Sequence, residues 1–527
     1  MHWSDVPPIR PETHFGRALR CFADRPPRLG AMFADTVRRH GGREALIDGA
    51  QRFDYARLDR IADRIAGHFA RLGIARGDRV ALYLGNEREF VHALLACLRL
   101  GAIAVPVNVR EQARELAFIL GQCGAKAIVF DAALADRLPA PAGAPALAAR
   151  VCVGGSAPGA VGFDALLDAR SPPAPPAAPG EEDPAVILYT SGTTGRPKGA
   201  MLTHLNVIHS VLHYRTCMRL TAADRSVLAV PASHVTGLVA ITLAMFAVGG
   251  CVIMLRDFKA RAFLELAARE RMTHTLVVPA IYNLCLRDPD FDRFDLSAWR
   301  VGGFGGSPMP EGTIRALAER LPGLTPMNAY GATETTSPVT LMPIGRQVEH
   351  LDSVGAVVPC GDVRVMDDAG RAVAPGEPGE LWIAGPMVVP GYWENPEATA
   401  REFADGYWKS GDVGSIDAHG WVRVFDRKKD LINRGGYKVY SAEVESVLSL
   451  HPLVVESALV AAPDPVLGEK THAFVVTRDP ACTPELLRAH CARHLADYKV
   501  PDFLTLQADP LPRNANGKVL KRALRAA

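Results

Sequence analysis

The sequence contains no C-x-x-C pair; its ten cysteines lie scattered along 527 residues. Neither a zinc ribbon nor a dithiol redox centre is legible. It has no excess of either charge, since 59 Lys+Arg stand against 57 Asp+Glu for a net +2. That balance excludes the broad basic surface on which a nucleic-acid binder depends, but not a small anion held by a few local cations. The opening MHWSDVPPIRPE is polar and Pro-rich, without the apolar core of a secretory signal. A disulfide framework is not expected in so long a chain with such a start, and a reducing, cytoplasmic setting is.

One stretch lacks charge altogether. Residues 227–255 carry no Asp, Glu, Lys or Arg, and 235–255 is long enough to span a bilayer. Pro231, His234, Gly237 and the Gly249-Gly250 pair interrupt it. Those breaks predict a buried helix, a turn and a short strand from Cys251 to Leu255, so no transmembrane segment is expected. With 48% hydrophobic and 22% charged residues the composition is that of a globular protein, and the length suggests two to four domains.

The first 130 residues alternate strand and helix signals. Ala45-Leu46-Ile47 and Arg52-Phe53-Asp54-Tyr55 flank a turn at Asp48-Gly49, the mark of a hairpin. Leu58, Ile61, Ile65, Phe69 and Leu72 recur at helical spacing, and Gly73 follows as a stop. Strands are predicted over 80–84, 102–107 and 127–130, with a helix over 90–100. This alternation predicts an α/β fold, with sheets flanked by helices. Residues 139–184 break the pattern; 171–180 alone hold five prolines, and the stretch reads as a surface linker. The last hundred residues carry their own α+β pattern: a helix opening at Ser441, strands over 457–461 and 473–476, and a helix over 484–495. No internal repeat is present.

Five short motifs carry chemistry. The first, residues 189–199, reads YTSGTTGRPKG and follows an apolar strand. Its glycines let backbone N–H groups approach an anion, its hydroxyls add donors, and Lys198 supplies charge for a phosphate. It is not a Walker A loop, because Gly195 and Lys198 are not adjacent. The second, Asn328-Ala329-Tyr330-Gly331-Ala332-Thr333-Glu334-Thr335, places an aromatic ring near a carboxylate suited to Mg²⁺. The others are Gly305-Gly306-Ser307-Pro308, then Tyr407-Trp408-Lys409-Ser410-Gly411-Asp412, then Pro512-Arg513-Asn514-Ala515-Asn516-Gly517-Lys518. Each of these three, alone, reads as an ordinary turn.

In this order the five motifs resemble the adenylate-forming superfamily, in particular its acyl-CoA synthetase branch, from about residue 30 to the end. The resemblance implies a large N-terminal nucleotide- and acyl-binding domain over 1–428 and a small mobile α+β lid over 429–527, with Lys429 as hinge. It implies that Thr190, Ser191, Gly192, Thr193, Thr194, Gly195 and Lys198 cover the ATP phosphates. Tyr330 would stack near adenine, with Asn328, Ala329, Gly331, Gly306, Ser307 and Pro308 along its edge. Thr333 would touch phosphate and Glu334 would hold Mg²⁺. Asp412, helped by Arg427, would take the ribose hydroxyls, and Lys429 and Lys438 complete the nucleotide set. Lys518 would reach the acyl carboxylate and the α-phosphate. His234 would gate the acyl and thiol sites, and Gly436 would line the passage for CoA. Three positions depart from the family pattern: Asp426 stands where glycine is usual, Ser441 where proline is, and Ser307 where alanine is.

The acyl pocket is expected from Val235, Gly237, Phe304, Gly305 and Ala332 and their neighbours in 235–238, 278–282, 304–305 and 331–339. No carboxylate follows His234 to pair with an α-ammonium group, and these segments hold no Arg or Lys for a second carboxylate. An uncharged medium- or long-chain fatty acid is the expected substrate, and an aromatic acid the alternative. The expected partners are thus a small carboxylic acid, ATP and CoA. A ligase loading a carrier-protein thiol and a silent nucleotide-binding protein are the competing functions. The sequence does not exclude a homo-oligomer.

Overall fold

The computed structural model describes residues 3–168, 177–190, 196–513 and 519–525. The chain divides into two compact units. The first comprises Met1–Pro308, Arg315–Asp362 and Ile383–Trp408; the second comprises Met309–Ile314, Val363–Trp382 and Lys409–Ala527.

In the first unit the hairpin at Asp48-Gly49 forms, pairing Glu44–Asp48 with Gln51–Asp54. The helix Tyr55–Arg71 follows at once, because the Asp54 carboxylate accepts the Arg57 N–H at 2.6 Å and satisfies a donor that the first helical turn leaves open. Its apolar face, Leu58, Ile61, Ile65 and Phe69, is buried as the spacing predicts. Each such side chain contributes about 1.5–3 kcal/mol by leaving water.

Among the described residues two large sheets shape this unit, beside the small hairpin of Ile9–His14 with Arg17–Phe22. One runs Lys198–Thr203, Pro184–Thr190, Ile103–Pro106, Arg79–Tyr83, Ala127–Asp131, Ala149–Val153 and Val161–Gly162. The strand Ala149–Val153 corrects the linker reading of 139–184: it pairs in parallel with Ala127–Asp131, and Val151 and Cys152 are buried. In the other sheet Thr325–Ala332, Val301–Gly305, His274–Val277, Arg225–Leu228 and Cys251–Met254 lie side by side and parallel. Ligands of such sheets gather where parallel strands end, and the glycine-rich motifs lie at the ends of Val301–Gly305 and Thr325–Ala332.

The uncharged run folds as a buried helix, a turn and the strand Cys251–Met254. The helix begins with π winding over Thr236–Leu243, where the Thr242 hydroxyl donates to the Gly237 carbonyl at 2.9 Å, before Ala244–Val248 turns α-helical. Among the described residues no helix is long and apolar enough to cross a membrane.

The second unit contains, from Lys409 on, the strand Tyr407–Ile416 and its antiparallel partner Trp421–Arg427. It also holds a five-stranded sheet in the order Tyr437–Val439, Ile432–Arg434, Gly468–Val476 and Glu456–Asp464, with Phe503–Gln507 beside Gly468–Val476. The helices Ser441–Ser449 and Pro484–Ala492 close over a core that includes Ile432, Val444, Leu459, Val475 and Leu487.

Candidate functional site

In the first unit, strands Pro184–Thr190 and Lys198–Thr203 form an antiparallel hairpin whose last pair is Thr190 and Lys198. The Thr190 hydroxyl donates to the Lys198 carbonyl at 3.5 Å. The two ends of the glycine- and hydroxyl-rich motif, Tyr189-Thr190 and Lys198-Gly199, are thus paired strand ends. Ser191, Gly192, Thr193, Thr194 and Gly195 lie outside the described residues.

Lys198 is buried, and its ammonium donates to both oxygens of Glu402 at 2.6 and 2.7 Å. It also lies 3.4 Å from the Tyr392 hydroxyl and 4.5 Å from the centre of that ring. The Tyr392 hydroxyl in turn stands 2.9 Å from Glu334 Oε1 and 2.5 Å from Glu402 Oε2. With a single proton it donates to one carboxylate at a time. Burial and the two carboxylates push the Tyr392 phenol well above its usual range, so it stays protonated.

The two carboxylates differ. Burial raises the pKa of Glu334, opposed by its bond to Tyr392 and the charge of Lys198. Burial also acts to raise Glu402, but there the bonds from Lys198 and Tyr392 win and the net shift is downward. Glu334 is the carboxylate of higher proton affinity, in a short turn Thr333–Thr335 followed by Thr336 and Ser337 at φ of 52° and 90°. Non-glycine residues seldom adopt that region, and strain of this kind gathers at functional sites. No side chain besides Tyr392 donates to Glu334 among the described residues. A buried carboxylate with acceptor capacity to spare fits a hard cation, which takes one or two carboxylates plus ligand oxygens.

Sequence reasoning missed both Tyr392 and Glu402. The backbone fixes Tyr392: Met201 N–H donates to Gly391 O at 3.2 Å, Trp393 N–H to Gly199 O at 2.7 Å, and Val389 N–H to Glu334 O at 2.9 Å. The buried Asn206, inside the capping box that opens the helix His204–Cys217, donates to the Pro386 and Val388 carbonyls at 2.7 and 3.0 Å. The strand that begins at Lys198 therefore carries the segment that sets Tyr392 beside it.

The second and third motifs lie on neighbouring parallel strands. Phe304 pairs in register with Asn328, and Gly305 with Ala329. Phe304 is buried, while Gly306, Ser307 and Pro308 are exposed and Asn328 and Tyr330 are partly so. Asn328 N–H donates to Gln347 Oε1 at 3.0 Å. A Cβ on Gly305 would stand 2.2 Å from Ala329 O, and one on Gly331 1.8 Å from Ser337 O; only glycine permits either approach. Ala332 N–H donates to the Thr335 hydroxyl at 2.9 Å, and Thr333 is partly buried beside it.

His234 and the buried Val235 precede the π-wound helix, and Gly237, also buried, lies in its first turn. Thr236 N–H donates to its Nδ1 at 3.3 Å, which leaves the proton of the neutral ring on Nε2. The ring is partly exposed, and desolvation pushes its pKa below the usual value.

In the second unit Asp412 and Arg427 face each other in register, with Arg427 Nε 2.7 Å from Asp412 Oδ1. Asp412 is buried; Arg427 is 39% exposed. Lys429 and Lys438 are exposed. Gly436 stands at φ +91° in the turn between Ile432–Arg434 and Tyr437–Val439, with nothing within 4 Å of where a Cβ would be. Lys518 lies outside the described residues.

The comparisons with known proteins agree with one another. A family model of AMP-binding enzymes matches residues 33–393, and that of the AMP-binding enzyme C-terminal domain matches 443–518. A feruloyl-CoA synthase of an Amycolatopsis species is 36% identical over 91% of this chain and 95% of its own. A long-chain-fatty-acid–CoA ligase of Mycobacterium tuberculosis is 35% identical over 90% and 93%. Among solved structures, an o-succinylbenzoate CoA synthetase of Bacillus subtilis in complex with its acyl-adenylate superposes with a TM-score of 0.84, at 29% identity over 96% of this chain and 99% of that one.

Proposed function

The chain belongs to the family of AMP-binding enzymes, and from that premise we propose that it is an ATP-dependent carboxylic acid–CoA ligase. It would join the acid to AMP with loss of pyrophosphate, then pass the acyl group to the CoA thiol. The observation that carries this reading is the cluster of Lys198, Tyr392, Glu402 and Glu334 around one hydroxyl. A buried cation and a buried carboxylate able to take a metal lie together, the cation at the end of the strand pair that flanks the glycine-rich motif, as suits a triphosphate.

In this reading a carboxylate attacks the α-phosphorus of an anionic nucleotide, so cations must be in place first. One pair of opposite charges 4 Å apart near a protein surface is worth about 4 kcal/mol before desolvation. Lys198 would hold the phosphates, and Lys518 the acyl carboxylate and α-phosphate. Mg²⁺, held by Glu334, would supply charge neutralisation at the leaving pyrophosphate. Tyr330 and the glycine turn at 305–308 would take adenine, and Asp412 with Arg427 the ribose. Positioning and electrostatics suffice, without a covalent enzyme intermediate. For the second step the small C-terminal domain would turn about Lys429 and bring Gly436 to the pantetheine.

The acid is proposed to be an uncharged fatty acid of medium or long chain, because the candidate pocket residues Val235, Gly237, Phe304, Gly305 and Ala332 offer neither a cation nor an anion. An aryl acid is the second reading, favoured by the buried Phe304 ring at the end of its strand. Pyrophosphate release with a panel of fatty and aromatic acids, followed by mass detection of the acyl-CoA, tests both. Lys518→Ala is expected to abolish adenylate formation and largely spare thioester formation from supplied acyl-AMP. Gly436→Leu is expected to do the reverse. Because φ +91° strains any side chain there, a folding defect would instead lower both half-reactions together.

A further inference from the structure

Two of the three positions at which the sequence departs from its family pattern meet in space. The helix Ser441–Ser449 has no side-chain cap of its own at Tyr440. Its first N–H, from the fully buried Ser441, donates instead to Asp426 Oδ2, while Asp426 Oδ1 accepts the Arg427 N–H at 2.7 Å. A glycine at 426 would have no acceptor to offer, and a proline at 441 no proton. The exchange does more than replace one turn by another, because serine also brings a hydroxyl. That hydroxyl accepts Lys521 Nζ at 2.5 Å. The same ammonium pairs with Glu445 at 2.7 Å, one helical turn beyond Ser441, and Glu445 Oε1 also accepts the Leu459 N–H at 2.7 Å.

Lys521 opens the terminal helix Lys521–Arg525 and stands three residues after Lys518. The helix is fastened at its other end as well: Arg525 donates to the Lys429 carbonyl at 3.0 Å and to Asp430 Oδ1 at 3.1 Å, and Leu524 is buried against Val460 and Phe474. Upstream, Arg513 and Val519 form an antiparallel bridge, and Leu520 N–H donates to Pro512 O at 2.7 Å. The described residues on either side of Lys518 are thus held by named contacts, among them the ion pairs of Arg513 with Glu456 and of Lys521 with Glu445.

We propose that Lys521 is a positioning residue: bonded to Ser441 and Glu445, it fixes the start of the terminal helix, three residues after Lys518, to the helix Ser441–Ser449 and so serves adenylation. This rests on the reading of Lys518 as the adenylation lysine. Ångström-scale misplacement of a reacting group costs far more rate than stability, so the tether acts on one half-reaction.

The test compares the two half-reactions of the full-length enzyme, with Lys518→Ala as control. In Lys521→Met, adenylation is expected to fall at least about tenfold, while thioester formation from supplied acyl-AMP stays within about twofold. Lys521→Arg should recover most of the loss, and Ser441→Ala should show a smaller loss of the same kind. The double variant Lys521→Met/Glu445→Gln removes the unpaired carboxylate should the single variant fold poorly. Wild-type adenylation in a folded Lys521→Met or double variant overturns the proposal, as does an equal loss of both half-reactions. Normal adenylation by Lys518→Ala overturns the underlying reading and the proposal with it; that control is read independently of Lys521.

Discussion

The two groups of charged residues are built on opposite plans. In the first unit Lys198, Glu334, Tyr392 and Glu402 are drawn from distant parts of the chain, and the Lys198–Glu402 contact spans 204 residues. Lys198 and Glu334 are buried, and Glu402 exposes 20% of its side chain. In the second unit Asp412 and Arg427 are neighbours across one antiparallel pair, and the arginine is 39% exposed. The first arrangement keeps charges out of water and already paired with one another; the second leaves one partner in solvent, where screening weakens the pair. A buried pair is costly to break from one side only, because the remaining charge has no water to turn to. A pair with one partner partly in solvent yields less, although here the other partner, Asp412, is buried. In the proposed reading, preorganised charge for the phosphates is thus concentrated in the first unit.

Lys198→Met breaks the comparison most severely. It removes the proposed phosphate cation and leaves Glu402, among the described residues, with Tyr392 and Arg401 as partners. Pyrophosphate release should fall by about a hundredfold or more. Thermal or denaturant unfolding should show a loss of up to about 3 kcal/mol. The double variant Lys198→Met/Glu402→Gln should recover stability without recovering activity. If the double variant is as unstable as the single one, the two charges are not a pair in solution.

Glu402→Gln alone sharpens the same point at smaller scale. Glu402 occupies the Lys198 ammonium through two short bonds, so in the proposed reading phosphate oxygens would compete with it. Neutralising Glu402 should lower the KM for ATP about two- to fivefold, equivalent to less than 1 kcal/mol, with kcat changed less. A raised KM would mean that Glu402 serves the bound nucleotide rather than competing with it.

The difference between the units also explains what the sequence disclosed. The phosphate hairpin was legible because its chemistry lies within eleven consecutive residues and follows an apolar strand. Glu334 was legible through its motif. Glu402 was not: it reads as the last residue of the short helix Pro396–Glu402, and only the zipper of 199–201 onto 391–393 brings that helix to Lys198. The π winding of Thr236–Leu243 left no trace either, since a run apolar on every side has no phase from which to read a helical period. The strand Ala149–Val153 was hidden among Ala, Pro and Gly in a stretch whose composition says turn. The link from Asp426 to Ser441 lay in plain view as two oddities, but their contact needed the fold.

Arg427→Ala tests the weaker plan. Its stability cost should stay below that of Lys198→Met, at about 1–2 kcal/mol: the guanidinium is partly solvated, but the buried Asp412 carboxylate loses this partner. If Asp412 takes the ribose, losing its partner should raise the KM for ATP a few-fold, about 1 kcal/mol or less, and leave kcat nearly unchanged. Salt supplies the discriminating measurement. Screening shortens from about 8 Å at physiological ionic strength to about 3 Å at 1 M, and it acts on exposed pairs far more than on buried ones. The difference in KM between wild type and Arg427→Ala should therefore shrink as salt rises, whereas that between wild type and Glu402→Gln should persist. Equal salt sensitivity of the two differences would show that the phosphate cluster is as open to solvent as the ribose pair.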